Sequence, residues 1–118
     1  MDVQPYIRFN GNCREAVEYY ASVFGTDEPR FMTYADIPGI PAPVERAELI
    51  LHVTLEIGGR LLRFSDATPD QPTVVGGNIT LLLAMEDEEL LKRIFNQMKE
   101  DGAVDVMDLQ QTFFSKYY

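Results

Sequence analysis

A strand, a tight break and a capped helix fill the stretch from Gln4 to Gly25, and the same plan recurs from Asn78 to Gly102. The two openings, Pro5 and Ile79, lie about 74 residues apart, so a whole supersecondary unit repeats and a solenoid period is excluded. In the first copy Pro5, Ile7 and Phe9 alternate with Gln4, Tyr6 and Arg8. Asn10-Gly11-Asn12 breaks the strand. Asn12, with Glu15 three residues on, has the pattern of a helix cap and near capping box. Ala16, Tyr19, Tyr20, Val23 and Phe24 recur at helical spacing, and Gly25 provides the stop. Packing the apolar strand face on the apolar helix stripe leaves Gln4, Tyr6 and Arg8 facing away from the core, where function is expected.

The rest of the chain reads as more strands and one more helix. Pro29 to Asp36 is expected as a strand, followed by an exposed loop through the three prolines of Ile37 to Pro43. Glu48 to Ile57 alternates clearly: Leu49, Leu51, Val53, Leu55 and Ile57 on one face, Glu48, Ile50, His52, Thr54 and Glu56 on the other. Gly58-Gly59 signals a hairpin into a returning strand, Arg60 to Asp66. Ala67 to Gly77 is turn-rich. Asn78 to Met85 reads as a strand, with Asn78, Thr80, Leu82 and Ala84 opposite its apolar face. Asp87 caps a helix with the buried stripe Leu90, Leu91, Ile94, Phe95 and Met98, stopped at Gly102. Ala103 to Asp108 and Gln110 to Tyr118 are expected to be extended.

At 118 residues the chain is expected to be a single domain with one core. A net charge of −9 argues against nucleic acid and anionic membrane surfaces, while one or two arginines can still dominate a pocket. No apolar run reaches the ~20 residues of a membrane span, and the start lacks a secretory pattern. The single cysteine, Cys13, fits a reducing cytoplasm. The glycine pairs at 58–59 and 76–77 do not form a nucleotide-binding loop, and the acidic run Glu86 to Glu89 suits the first turn of a helix.

The run from Pro5 to Gly25, with His52-Val-Thr-Leu-Glu-Ile-Gly-Gly59, Phe64-Ser-Asp66, Asn78-Ile-Thr-Leu-Leu-Leu83 and Phe113 to Tyr118, resembles PhnB-like proteins of the vicinal oxygen chelate superfamily. That superfamily includes glyoxalase I, bleomycin-resistance proteins and extradiol dioxygenases. The resemblance implies an α+β fold in which paired βαβββ modules, residues 1–66 and 78–118, form a curved mixed sheet around a cavity. It also implies a final turn and strand beyond Tyr118, so the second module is expected to be incomplete.

In metal-dependent relatives, inward-facing strand positions carry the ligands. The resemblance aligns these positions with Gln4, Asn78 and the strand Arg60 to Asp66, where Asp66 is the best donor. Gln4, Asp66 and Asn78 form an oxygen-only set without the imidazole and thiolate donors that zinc and copper prefer, so no catalytic metal is expected. The expected cavity lining is Gln4, Tyr6, Arg8, His52, Thr54, Arg63, Ser65 and Asn78. Arg8 and Arg63 suit a carboxylate or phosphate, against pairing with acids such as Glu56. His52 reads as a hydrogen-bonded structural residue, with proton transfer as the alternative its ordinary pKa allows. Cys13 reads as a small residue at a helix start, with a thiol activated by the helix dipole as the alternative. The expected function is small-molecule binding without catalysis, in a homodimer; the alternative is a metal-dependent lyase, isomerase or dioxygenase of glyoxalase type.

Overall fold

The computed structural model describes residues 1–103. The expected extended segments Ala103 to Asp108 and Gln110 to Tyr118 lie, but for Ala103, outside the described residues. The architecture is α+β, with four strands in one mixed sheet and three α-helices among the described residues. Contacts divide the chain into two compact units, Met1–Gly76 and Gly77–Tyr118.

The first unit is a βαβββ module. Strand β1 (Tyr6–Phe9) leads into helix α1 (Cys13–Phe24), then β2 (Met32–Thr33), a short helix α2 (Val44–Ala47), β3 (Ile50–Ile57) and β4 (Arg60–Asp66). The order across the sheet is β1-β4-β3-β2, with β1 parallel to β4 and the other pairs antiparallel. Gly58 and Gly59 make the β3–β4 turn with φ of 57° and 78°, a conformation in which any Cβ is strained.

Helix α1 lies on the face of the sheet that carries Phe64, Val53 and Leu55. Its core contacts come from Cys13, Val17 and Ala21, with Tyr20 beside them. The expected stripe of Ala16, Tyr19, Tyr20, Val23 and Phe24 holds in part: Val23 is fully buried and Tyr20 packs on the core, while the i, i+4, i+8 series from Cys13 faces the sheet. Phe64 is the centre of this core, fully buried, with the rings of Phe9 and Tyr20 6.3 and 6.2 Å from its own.

Three further local expectations are corrected. Asn12 occupies the cap position of α1 but makes no side-chain cap bond; the cap comes from Asp66, described below. The strand expected over Pro29 to Asp36 is reduced to Met32–Thr33, because Thr33 and Asp36 form a capping box that winds Tyr34–Asp36 into a 3-10 turn. Alternation in β3 also fails at Ile50. Met32 and Thr33 are adjacent, yet pair with His52 and Ile50, which are two apart; Leu51 is the extra residue of a bulge, and Ile50 joins the core.

In the second unit, helix α3 (Glu88–Glu100) begins where expected. The Asp87 side chain accepts the N–H of Leu90 at 3.0 Å, and Gly102 follows the last turn with φ of 104°. The strand expected over Asn78 to Met85 has no ladder partner among the described residues, and Ile79, Leu81 and Leu82 are exposed. Its period-2 apolar pattern supplies strand propensity, but a strand also needs a neighbour to satisfy its backbone.

Candidate functional site

Strand pairing fixes which side chains share the sheet face opposite α1. Arg63 on β4 pairs with Tyr6 on β1 and with Thr54 on β3, which makes one row of three across the sheet. Arg8 pairs with Ser65, and the register that sets Val53 opposite Phe64 sets His52 opposite Ser65, which makes a second row. Cross-strand partners project to the same side. Tyr6, Arg8, His52, Thr54, Arg63 and Ser65 therefore occupy one contiguous polar face of the first unit.

Gln4 joins this face from just before β1. Its Oε1 accepts the Arg63 Nε–H at 2.7 Å, and its Nε2 donates to Asp2 at 2.6 Å. Arg63 Nη1 donates to His52 Nε2 at 3.3 Å, reaching diagonally from one row to the next. The half-buried guanidinium is thus held by the Gln4 carbonyl and the His52 ring. Neither Arg63 nor Arg8 forms an ion pair among the described residues, although acids outnumber bases 19 to 10. The alternative for these arginines, pairing with Glu56, is not formed.

Asp66 ends β4 on the opposite, core-facing side and is 2% exposed. Its Oδ1 accepts the backbone N–H groups of Gly11 and Cys13, each at 3.0 Å, and its Oδ2 accepts that of Ile50 at 2.9 Å. One carboxylate joins the start of α1, the start of β3 and the end of β4. It also places negative charge at a helix N-terminus, where the dipole favours it. Nearby, Asn10 makes a two-way bond with the backbone of Thr73 at 3.0 and 2.9 Å, which fastens the segment after β4 to the same turn.

Gln4 and Asp66 lie on opposite faces of the sheet, with their oxygens already accepting N–H groups. These two do not converge on a shared divalent ion, which needs free oxygen donors on one side. No cluster of three or more histidine, cysteine, aspartate or glutamate side chains stands at metal-binding distance among the described residues. Cys13 is fully buried, and burial first, then the neighbouring Asp66 carboxylate, push its thiol up to about 12. It packs in the core and is no nucleophile.

Two open grooves also occur among the described residues, and the first of them shares Thr54 with the polar rows. One, of about 460 Å³, runs between residues 26–30 and Thr54 to Glu56, where β2 no longer covers the edge of β3. The other, of about 620 Å³, is lined by Arg14, Glu18 and Phe31, with the Arg14 guanidinium 4.5 Å from the centre of the Phe31 ring. Sequence alternation could not reveal the first groove, because it depends on how short β2 turns out to be.

No family model matches the chain. Protein PA1353 from Pseudomonas aeruginosa, a solved structure, superposes with a TM-score of 0.83 at 30% identity, over 99% of this chain and 85% of that one. A PhnB protein from Bacillus cereus, named as a candidate 3-demethylubiquinone-9 3-methyltransferase, superposes with a TM-score of 0.62 at 25% identity, over 99% and 87% of the two chains. Protein YjdN of Escherichia coli (strain K12) is 27% identical over 98% of this chain and 83% of its own length. The chain belongs to the PhnB/YjdN-like family. Among the described residues of this PhnB/YjdN-like chain, no helix is long and apolar enough to cross a membrane.

Proposed function

We propose that this PhnB/YjdN-like chain is a small-molecule-binding protein of the vicinal oxygen chelate type, related in mode of action to bleomycin-resistance proteins. Its ligand sits on the polar sheet face, and binding proceeds without catalysis or a resident metal. The supporting observation is the arrangement of Arg63. A guanidinium fixed by Gln4 at 2.7 Å and by His52 at 3.3 Å, with no ion pair among the described residues, is a preorganised recognition group. A residue needed only for folding would instead be paired, as Arg46 is with Asp70 at 2.7 Å. Support for the absence of chemistry comes from the donor set: Gln4 and Asp66 are both engaged, and Cys13 is buried and raised.

The test is a thermal-shift screen of the full chain against small anions, neutral polar molecules and cations, with and without added zinc, nickel or manganese. At least one compound is expected to raise the midpoint without metal and to be recovered unchanged. Stabilisation that appears only with a stoichiometric metal, accompanied by turnover of the compound, would replace this reading with a glyoxalase-type enzyme.

A further inference from the structure

Hydrogen-bond polarity on the sheet face goes further than its shape, because the bonds can be oriented one after another from a group of fixed character. Arginine only donates. The Gln4 atom facing Arg63 Nε is therefore the carbonyl oxygen, which turns the amide NH2 toward Asp2. By the same rule, the His52 Nε2 facing Arg63 Nη1 must accept, so this nitrogen carries no proton. In a neutral imidazole the proton then resides on Nδ1.

Apart from Glu56, the exposed carboxylate beyond Thr54 on the same side of β3, the groups left over on this face among the described residues are donors or hydroxyls. Arg63 keeps its Nη2, Arg8 keeps its whole guanidinium, His52 keeps Nδ1–H, and Tyr6, Thr54 and Ser65 contribute hydroxyls. Two other acceptors of the face, Gln4 Oε1 and His52 Nε2, have been used internally to hold Arg63. Of the carboxylates nearby, Asp2 is engaged by the Gln4 amide, and Glu56 forms no ion pair with either arginine among the described residues.

We propose that the polar face recognises an oxyanion, a carboxylate or phosphate carried by a small molecule, with Arg63 and Arg8 as its charged partners and His52 as an Nδ1–H donor. The proposal rests on the small-molecule reading above and narrows it to one ligand class. It assigns His52 to binding and denies it the role of general base, since a base needs an unprotonated nitrogen facing the ligand. Gln4 becomes a positioning residue, whose carbonyl keeps the Arg63 fork in the plane that suits bidentate recognition.

The experiment has two independent arms on the full chain. In the first, two-bond nitrogen–proton correlation spectra of the 15N-labelled protein without ligand read the tautomer of the single histidine, at about pH 8, where ordinary imidazole is neutral. The proton is expected on Nδ1. A proton on Nε2 overturns the proposal, and small-molecule binding of another chemical class remains open to the screen. In the second arm, inorganic phosphate, acetate and tetramethylammonium are titrated separately while the His52 ring and arginine side-chain signals are followed. Saturable shifts with phosphate or acetate, and none with tetramethylammonium, are expected; whichever anion binds more tightly identifies the headgroup. Arg63→Gln, and separately the exposed Arg8→Gln, are expected to weaken this binding at least tenfold, while Arg63→Lys recovers only part of it. Equal response to the cation, or anion shifts unchanged in a folded Arg8→Gln protein, overturns the proposal.

Discussion

Asp66 caps a helix that starts 53 residues before it: its Oδ1 accepts the Cys13 N–H at 3.0 Å, and the local candidate, Asn12, makes no cap bond. The first helix of this PhnB/YjdN-like chain is therefore anchored by tertiary structure. Its start becomes secure only when β4 is in place beside β1.

Asp66→Asn is expected to destabilise the protein by about 1–3 kcal/mol, the cost of leaving a buried amide unsatisfied. The asparagine side chain has a single carbonyl oxygen to serve the three N–H groups that Asp66 accepts. Urea denaturation monitored by circular dichroism measures the loss. A midpoint equal to wild type would contradict the anchoring role.

Asn12→Ala supplies the contrast. Its side chain is exposed and makes no cap bond, so the change is expected to stay within about 0.5 kcal/mol of wild type in the same assay. A loss near the ~1 kcal/mol of a true N-cap would show that Asn12 does cap the helix in solution.

Cys13 should be inert while the protein is folded and should make stability fall at high pH. Its thiol ionises near 9.0 when free of the fold and is raised to about 12 within it. Between those values only the unfolded chain releases the proton, so stability is undiminished below about 9.0 and declines as pH rises toward 12. Alkylation by iodoacetamide is expected to track global unfolding across this window, and Cys13→Ala should remove the cysteine-dependent part of the decline. Rapid alkylation of the folded protein near neutral pH would contradict the burial.

Phe64→Ala should cost about 3–5 kcal/mol, since the ring is fully buried and packs against the rings of Phe9 and Tyr20. Arg63→Gln should cost much less, because Arg63 contributes to the polar face and not to the core. Denaturation midpoints of the two variants check the ordering.

The homodimer expected from the family resemblance is a proposal that sedimentation decides. The exposed apolar side chains of Ile79, Leu81 and Leu82 give it a surface to bury. A species of about twice 13.4 kDa at micromolar concentration is expected, and a monomer would contradict it.

Strand alternation makes the polar face legible in the sequence itself. Tyr6 and Arg8, Arg63 and Ser65, and His52 and Thr54 each follow the period of two, and register does the rest by aligning them into rows. The Asp87 cap and the Gly58-Gly59 turn are equally legible, because both depend on adjacent residues. Long-range choices are not. Asn12 and Asp66 are both good caps, and only the β1–β4 pairing decides between them. The bulge at Leu51 and the shortness of β2 likewise depend on the Thr33–Asp36 turn, which competes locally with strand pairing. For Asn78 to Met85 the alternation is clear, yet alternation names a face and not a partner.

Mapping a bound ligand by chemical-shift perturbation on the 15N- and 13C-labelled protein tests the central claim most directly. With the best compound from the thermal-shift screen, the shifts are predicted to concentrate on Tyr6, Arg8, His52, Thr54, Arg63 and Ser65. Shifts that cluster instead on Arg14, Glu18 and Phe31, or along residues 26–30, would place the ligand in the grooves and contradict the assignment of function to the polar sheet face.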